Sequence, residues 1–354
     1  MLRRSSAAGW PTRMDCVTMT GMKSRTGPIA FLTYLAVRVV FAIMEIFPIH
    51  WNLRTARILA RLWPFLTTRH RDRAVAHLRL AFGDALPESE IHRIARRCLE
   101  NAAMFAVEAV CLPRLMNAFT WSRYIQLENF DDALRVILEG RGAILVTGHF
   151  GSFEVTGHLL AALGFDTVAV MRPLDNVFLN SYIVRSRRKH GLQLLDKKGA
   201  STQAQAMLED GHLLGFVGDQ DAGRKGVFVD FFGQPASAYK SIGLLAMTTQ
   251  RPIIVGYARR LGKVARYAVG ATRIIRPPEW EVQSDPLDWI TQAYTAAIEE
   301  MVRVAPEQYL WIHRRWKSKP RKRSRASREL QVARNDPTSD TQRSLAAGIE
   351  SLSD

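Results

Sequence analysis

The chain of 354 residues is 47% hydrophobic and 23% charged, enough for one large core or two modest ones, which excludes a chain disordered throughout. Its 49 Lys and Arg against 33 Asp and Glu leave a formal net charge of +16, pointing to nucleic acid, an anionic membrane face or a phosphorylated substrate. The three cysteines, Cys16, Cys98 and Cys111, are far from any CxxC spacing, so composition argues against a disulfide framework or zinc site and fits a reducing compartment.

Residues 1–28 are polar, basic and unpatterned and read as a disordered arm, with Met22 as an alternative start. A membrane-associated helix is expected over 29–50, because residues 29–47 are apolar except for Arg38 and Glu45. Their eleven Ile, Leu, Val and Phe favour insertion by about 3–6 kcal/mol, against about 2.5–3.5 kcal/mol for one central arginine, so both a span and an interfacial helix remain open. A buried core helix and a signal peptide are the competing readings. Arg54, Arg57 and Arg61 recur at helical spacing beside Trp51, Leu62 and Trp63, suiting either a membrane surface or an ordinary solvated face. A long helix opens at Pro87 and is expected to close before Pro113.

The core then alternates strand and helix. Strands are expected at 143–148, 166–171, 192–195, 213–218 and 252–258. Helices are expected at 152–163, at 175–190 capped by Asp175, at 200–210 and at 239–249. The alternation predicts an α/β fold, a mostly parallel central sheet flanked by helices, over 51–317. Residues 314–328 hold nine Lys or Arg and no acid, and 318–354 read as a disordered basic and polar tail.

The stretch around which the domain is organised is 143–158, AILVTGHFGSFEVTGH. A short apolar strand ends at a glycine-rich turn and delivers His149 at its carboxyl end, where ligands of such sheets gather. Gly151 permits a sharp bend, Ser152 is a candidate cap, and Glu154 falls in the first turn of the next helix. That bend is what would let Glu154 fold back onto the imidazole. A histidine so braced, with a reference pKa of about 6.5, can take a proton from a hydroxyl at neutral pH. A hydrogen-bonded turn histidine is the plainer alternative. Ser152 lacks a GxSxG setting, and Glu154 with His158 lacks HExxH, so neither a serine nucleophile nor a metal pair is favoured.

Three further blocks carry chemistry. Arg172, at a strand end in 171–176, could hold an anionic head group or an oxyanion, as could backbone N–H groups near Gly151; a surface arginine is the alternative. Arg185, Arg187, Arg188 and Lys189 read as a solvated helix terminus. In 218–233, Asp219 and Asp221 could bind a divalent metal or, as preferred, pair with Arg224 and Lys225, while 227–232 could line an acyl channel or be a buried loop or strand. In 306–317, interleaved aromatics and cations could face lipid head groups or nucleic acid, or form a terminal strand on the sheet.

GHFGSFE, MRPLDN, GDQDAGRKGVFVDFFG and PEQYLWIHRRWK, in this order and spacing, resemble the lipid A biosynthesis acyltransferase family of lauroyl or myristoyl type, within the wider glycerolipid and lysophospholipid acyltransferase superfamily. The likeness runs from about residue 29 to 317. It implies a bacterial inner-membrane enzyme on the cytoplasmic face, with no cofactor or metal, moving an acyl group from acyl carrier protein or acyl-CoA to a hydroxyl of a lipid A precursor. It places the catalytic dyad on His149 and Glu154. Substrate contacts would fall on Arg172, on Asp219, Gln220, Asp221, Arg224 and Lys225, and on Glu307, Arg314 and Arg315. The departures are His77, where relatives often carry asparagine, and a longer basic tail. Another glycolipid or phospholipid acceptor is an alternative. From other classes come a metal-dependent glycosyltransferase using Asp219 and Asp221, and a nucleic-acid binder, for which no module is recognisable.

Overall fold

The computed structural model describes residues 25–320 except 67 and 197–199. The arm and tail expected at the two ends, and Cys16, lie almost wholly outside the described residues. Among the described residues four helices precede the sheet: α1 (Pro28–Ile46), α2 (Ile49–Leu66), α3 (Arg69–Phe82) and α4 (Glu88–Leu115). α1 starts on Pro28, whose missing N–H costs nothing in a first turn, and is long and apolar enough to cross a bilayer. Only Ala30 of it is buried; Ile29, Leu32, Val39, Ile43 and Ile46 are exposed. α4 runs three residues past its expected end, because Pro113 sits in its last turn and there the chain stays helical to Leu115.

The rest is β1 (Ile125–Glu128), α5 (Asp131–Leu138), β2 (Ala143–Thr147), α6 (Glu154–Ala162), β3 (Thr167–Met171), α7 (Val177–Lys189), β4 (Gln193–Asp196), α8 (Ala200–Glu209), β5 (Leu213–Val217), β6 (Val227–Phe231), β7 (Gln234–Ala238), α9 (Lys240–Thr249), β8 (Ile253–Arg260), β9 (Tyr267–Ile275), α10 (Pro277–Glu281) and α11 (Pro286–Val304). The sheet has seven strands in the order β1-β9-β8-β2-β5-β3-β4. β8, β2, β5, β3 and β4 are parallel, while β9 returns antiparallel to β8 through a tight connection closed by Leu261 N–H to Arg266 C=O at 2.7 Å. Near-continuous apolar runs in β2 and β8 are what a sheet covered on both faces requires.

α7 begins two residues after the expected cap. Its N-cap is Asn176, whose side chain accepts from Leu179 N–H at 3.1 Å, and Asp175 instead pairs with Arg172. Likewise α6 starts after Phe153, without a side-chain cap, so Ser152 is not one. Residues 227–231 form the first strand of a two-stranded hairpin with β7, and Val229, Phe231 and Phe232 pack into the core with Ile242 and Ile298. That is the plainer of the two readings of this segment.

Candidate active site

β2 and β5 are parallel neighbours with Thr147 paired to Val217. Two residues past each partner, where both strands run out at the carboxyl edge, stand His149 and Asp219. The His149 Nδ1 is 2.6 Å from Asp219 Oδ1, and the backbone N–H of His149 donates to Oδ2 at 2.9 Å. A carboxylate only accepts, so Nδ1 carries the proton and Nε2 holds the free lone pair. The Gln220 side-chain Nε2 approaches that atom at 3.3 Å.

The ring is held on its faces too. His313 stacks on it with centroids 4.5 Å apart and planes 29° off parallel, and Phe153 meets it edge-on at 5.1 Å. His313 comes from a segment with little regular structure that lies across the His149 turn, so the terminal strand, one of the readings open for 306–317, does not form. Leu310 N–H donates to His149 C=O and Gly151 N–H to Gln308 C=O, both at 3.0 Å. His77 secures this segment, its Nδ1 lying 2.7 Å from Trp311 C=O. At the other end Gln308 bonds the Arg260 backbone in both directions, at 2.8 and 2.9 Å. Arg260 is itself locked by two bonds to Glu108, at 2.6 and 2.5 Å, with both side chains fully buried.

The turn requires glycine at 151. Its φ is +57°, and a Cβ there would stand 2.2 Å from Ala258 C=O.

Electrostatics follow from this geometry. Burial disfavours a charged His149, but the charge and hydrogen bond of Asp219, with the charge of Glu154, outweigh it and raise its pKa above 6.5. Burial would lift the Asp219 carboxyl. The charge of His149 and its two hydrogen bonds instead hold it well below the usual carboxylate range. Burial, then the neighbouring His149 charge, lower His313 to about 4, so it is neutral at pH 7. Burial also lowers His158, to about 3, making it a neutral core residue.

The site residues expected from sequence divide clearly. Asp219 and Gln220 join His149, but Glu154 is not the imidazole's hydrogen-bond partner. Its Oε1 accepts from Arg187 at 2.5 Å, because the bend aims the start of α6 at the last turn of α7, and Asp219 already occupies Nδ1. Arg187, read as part of a solvated terminus, is thus largely buried. Asp219 and Asp221 do not pair with Arg224 and Lys225; Asp219 is held by His149. Asp221 accepts from the Ser318 N–H at 3.1 Å and hydroxyl at 3.0 Å, while Arg224 and Lys225 are exposed.

Arg172 reaches the same sheet edge but is 66% exposed and pairs with Asp175 at 3.0 Å. Backbone N–H groups near Gly151 are not free for an oxyanion: Phe150 N–H donates to Gly148, Gly151 to Gln308 and Ser152 to Ala258. Glu307 supplies a backbone carbonyl to Asn101 at 2.8 Å. Arg315 is buried and donates to the carbonyls of Ser237 and, at 3.4 Å, Gln220, while Arg314 is exposed. Sequence reasoning did not single out His313, Phe153 or Gln308. The interleaved pattern of 306–317 was the one signal for His313.

An apolar cavity of about 150 Å³ lies between the sheet and α6. Leu145, Ala169, Gly215 and Gly256 pave the sheet side, and Phe153, Gly157 and Leu160 line the helix side. Since Phe153 also touches His149, the cavity begins one ring away from the imidazole. The Glu154–Arg187 pair lies on its wall.

A family model described as bacterial lipid A biosynthesis acyltransferase matches residues 19–318. The chain is similar to the lipid A biosynthesis lauroyltransferase of Escherichia coli (strain K12), 26% identical over 299 residues that cover 83% of this chain and 94% of that one. It is also similar to the lipid A biosynthesis palmitoleoyltransferase of the same strain, 27% identical over 301 residues, 83% and 93% of the two chains. A lipid A biosynthesis acyltransferase of Haemophilus influenzae (strain ATCC 51907 / DSM 11121 / KW20 / Rd) is 23% identical over 210 residues, 59% and 63% of the two chains.

Proposed function

We propose the following reaction from the family to which this chain belongs, the bacterial lipid A biosynthesis acyltransferases: a fatty acyl chain moves from an acyl thioester to a hydroxyl of a lipid A precursor, with His149 as general base. As a member of that family the chain is an acyltransferase of lipid A biosynthesis. The assignment of the base rests on one observation, the His149–Asp219 contact at 2.6 Å.

Asp219 fixes the tautomer and stabilises the imidazolium. Nε2 removes the acceptor's proton, the hydroxyl oxygen attacks the thioester carbonyl, and the tetrahedral oxyanion collapses. The thiolate leaves and takes the proton back from the imidazolium, so no acyl-enzyme forms. The Gln220 amide, 3.3 Å from Nε2, would donate to the oxyanion. Glu154 acts at longer range, its charge supporting imidazolium while Arg187 holds it.

The donor's acyl chain would lie in the cavity along Leu145, Gly215 and Gly157, whether a carrier protein or coenzyme A presents the thioester. Attachment to the cytoplasmic face of the inner membrane would come from α1, through its exposed apolar side chains, and from α2 through Trp51, Leu62 and Trp63. The test is mass spectrometry of a lipid A precursor incubated with acyl thioester and either the native chain or His149→Ala. One added acyl chain with the first and none with the second is expected; equal product from both would remove His149 from the role.

A further inference from the structure

A second cavity, about 410 Å³, opens outside the catalytic pair. It is a groove lined by Leu59 and Trp63 of α2, Leu99 and Ala103 of α4, His70 at the start of α3, and Ile312. Leu59 is 60% exposed, and Leu62 and Trp63 of the same helix are exposed as well. One of its lining residues, Ile312, precedes His313, which stacks on His149.

Beside His70 and Ile312 three arginines converge. Arg69 and Arg73 are four apart on α3 and share a face. Arg73 Nη1 donates to Ile312 C=O at 3.2 Å, which brings it to the segment carrying Arg314. Burial, then the charges of Arg314 and Arg69, depress the Arg73 pKa. Asp72, the acid within this stretch, is engaged by Arg71 at 3.0 Å, and among the described residues none of the three arginines has a carboxylate partner. Like charges held together without a counter-ion beside an apolar groove fit an amphiphile with an anionic head.

We infer that Arg69, Arg73 and Arg314 bind the phosphate of a phosphate-bearing membrane lipid, with one hydrocarbon chain of that lipid in the groove between α2, α4 and Ile312. Guanidinium groups suit this task because their planar forks match phosphate oxygens. The head is thereby anchored near His313, and a hydroxyl on another part of the lipid can reach His149. Only the identification of this lipid as the acyl acceptor rests on the reaction proposed above; the binding itself does not.

The test is equilibrium dialysis of the full chain against radiolabelled octyl phosphate below its micelle concentration, with inorganic phosphate and octyl glucoside as competitors. Saturable binding is expected, displaced by neither competitor at equal concentration. Arg69→Gln/Arg314→Gln should weaken it at least about tenfold, and Leu59→Asp should weaken it too. All three positions are exposed, so these variants keep the native melting temperature. Unchanged binding in the double variant overturns the arginine site. Inorganic phosphate binding as tightly as octyl phosphate, with no effect of Leu59→Asp, makes the ligand a free anion and overturns the lipid. His149→Ala should bind normally while failing to transfer. If instead it transfers normally, the base assignment falls and the lipid site stands.

Discussion

Asp219 grips His149 twice, one carboxylate oxygen 2.6 Å from the ring Nδ1 and the other accepting the residue's own backbone N–H at 2.9 Å. A single side chain thus sets both the tautomer of the imidazole and the path of the turn that carries it. The side chain of Asp219 is only 2% exposed, so its charge is little screened and is balanced chiefly by the histidine.

The pH dependence has a definite sign. A base must be neutral to act, and the folded-state pKa of His149 lies above 6.5, so the acid limb of kcat/KM lies above pH 6.5. Asp219→Asn removes the larger raising influence and Glu154→Gln the smaller, so both shift the limb to lower pH, Asp219→Asn further. Asp219→Asn should also lower the rate about 10²–10⁴-fold through loss of the tautomer lock. For stability, a raised histidine pKa contributes below pH 6.5 and loses that contribution as pH rises through the folded value. Rate–pH profiles of the three proteins check the order; a larger displacement in Glu154→Gln would hand the bracing role to Glu154.

His313 is neutral at pH 7 and stacked, so the expectation is that it positions the imidazole without taking a proton. His313→Phe should keep kcat within about threefold, whereas His313→Ala should lose about two- to tenfold, the worth of one aromatic contact. A Phe variant as slow as the Ala variant would mean that the imidazole nitrogens matter.

Gly151→Ala puts a methyl group 2.2 Å from Ala258 C=O at a backbone φ of +57°. Unfolding free energy should fall by more than about 2 kcal/mol, with activity lost alongside, since the turn cannot close on β8. Denaturant titration measures the first quantity and product formation the second.

Glu108→Gln leaves the Arg260 guanidinium buried without its charge partner. A loss of about 3–5 kcal/mol is expected from such an uncompensated ion. Because Arg260 also carries Gln308, the segment that bears His313 should loosen, visible as faster amide exchange over 306–316.

Gly215 lies on the cavity floor, and a Cβ there would meet Val168 C=O at an unstrained 3.6 Å. Gly215→Val should therefore fold normally and fill part of the cavity proposed to take the acyl chain. Competition between acyl thioesters of graded length, read by product mass, should show the preferred chain becoming shorter. An unchanged preference would place the acyl chain elsewhere.

Much of this was written in the local sequence. Apolar runs of strand length between helical stretches predicted β2, β3, β5 and β8 with errors of a residue or two, and the glycine-rich turn after Val146 marked where His149 leaves the sheet. What local pattern cannot express is which strand lies beside which. Asp219 meets His149 across 70 residues because β5 is the neighbour of β2 in a matching register, and no spacing rule contains that fact. Glu154 was drawn to the histidine by proximity in sequence, yet the orientation of α6 turned it to Arg187 on α7. His313 reached the imidazole only because part-buried bonds from His77 and Gln308 lay this segment over the turn. Short-range periodicity fixes where elements begin and which face is apolar; the pairing of charges depends on chain closure over long loops, and only the packed molecule decides it.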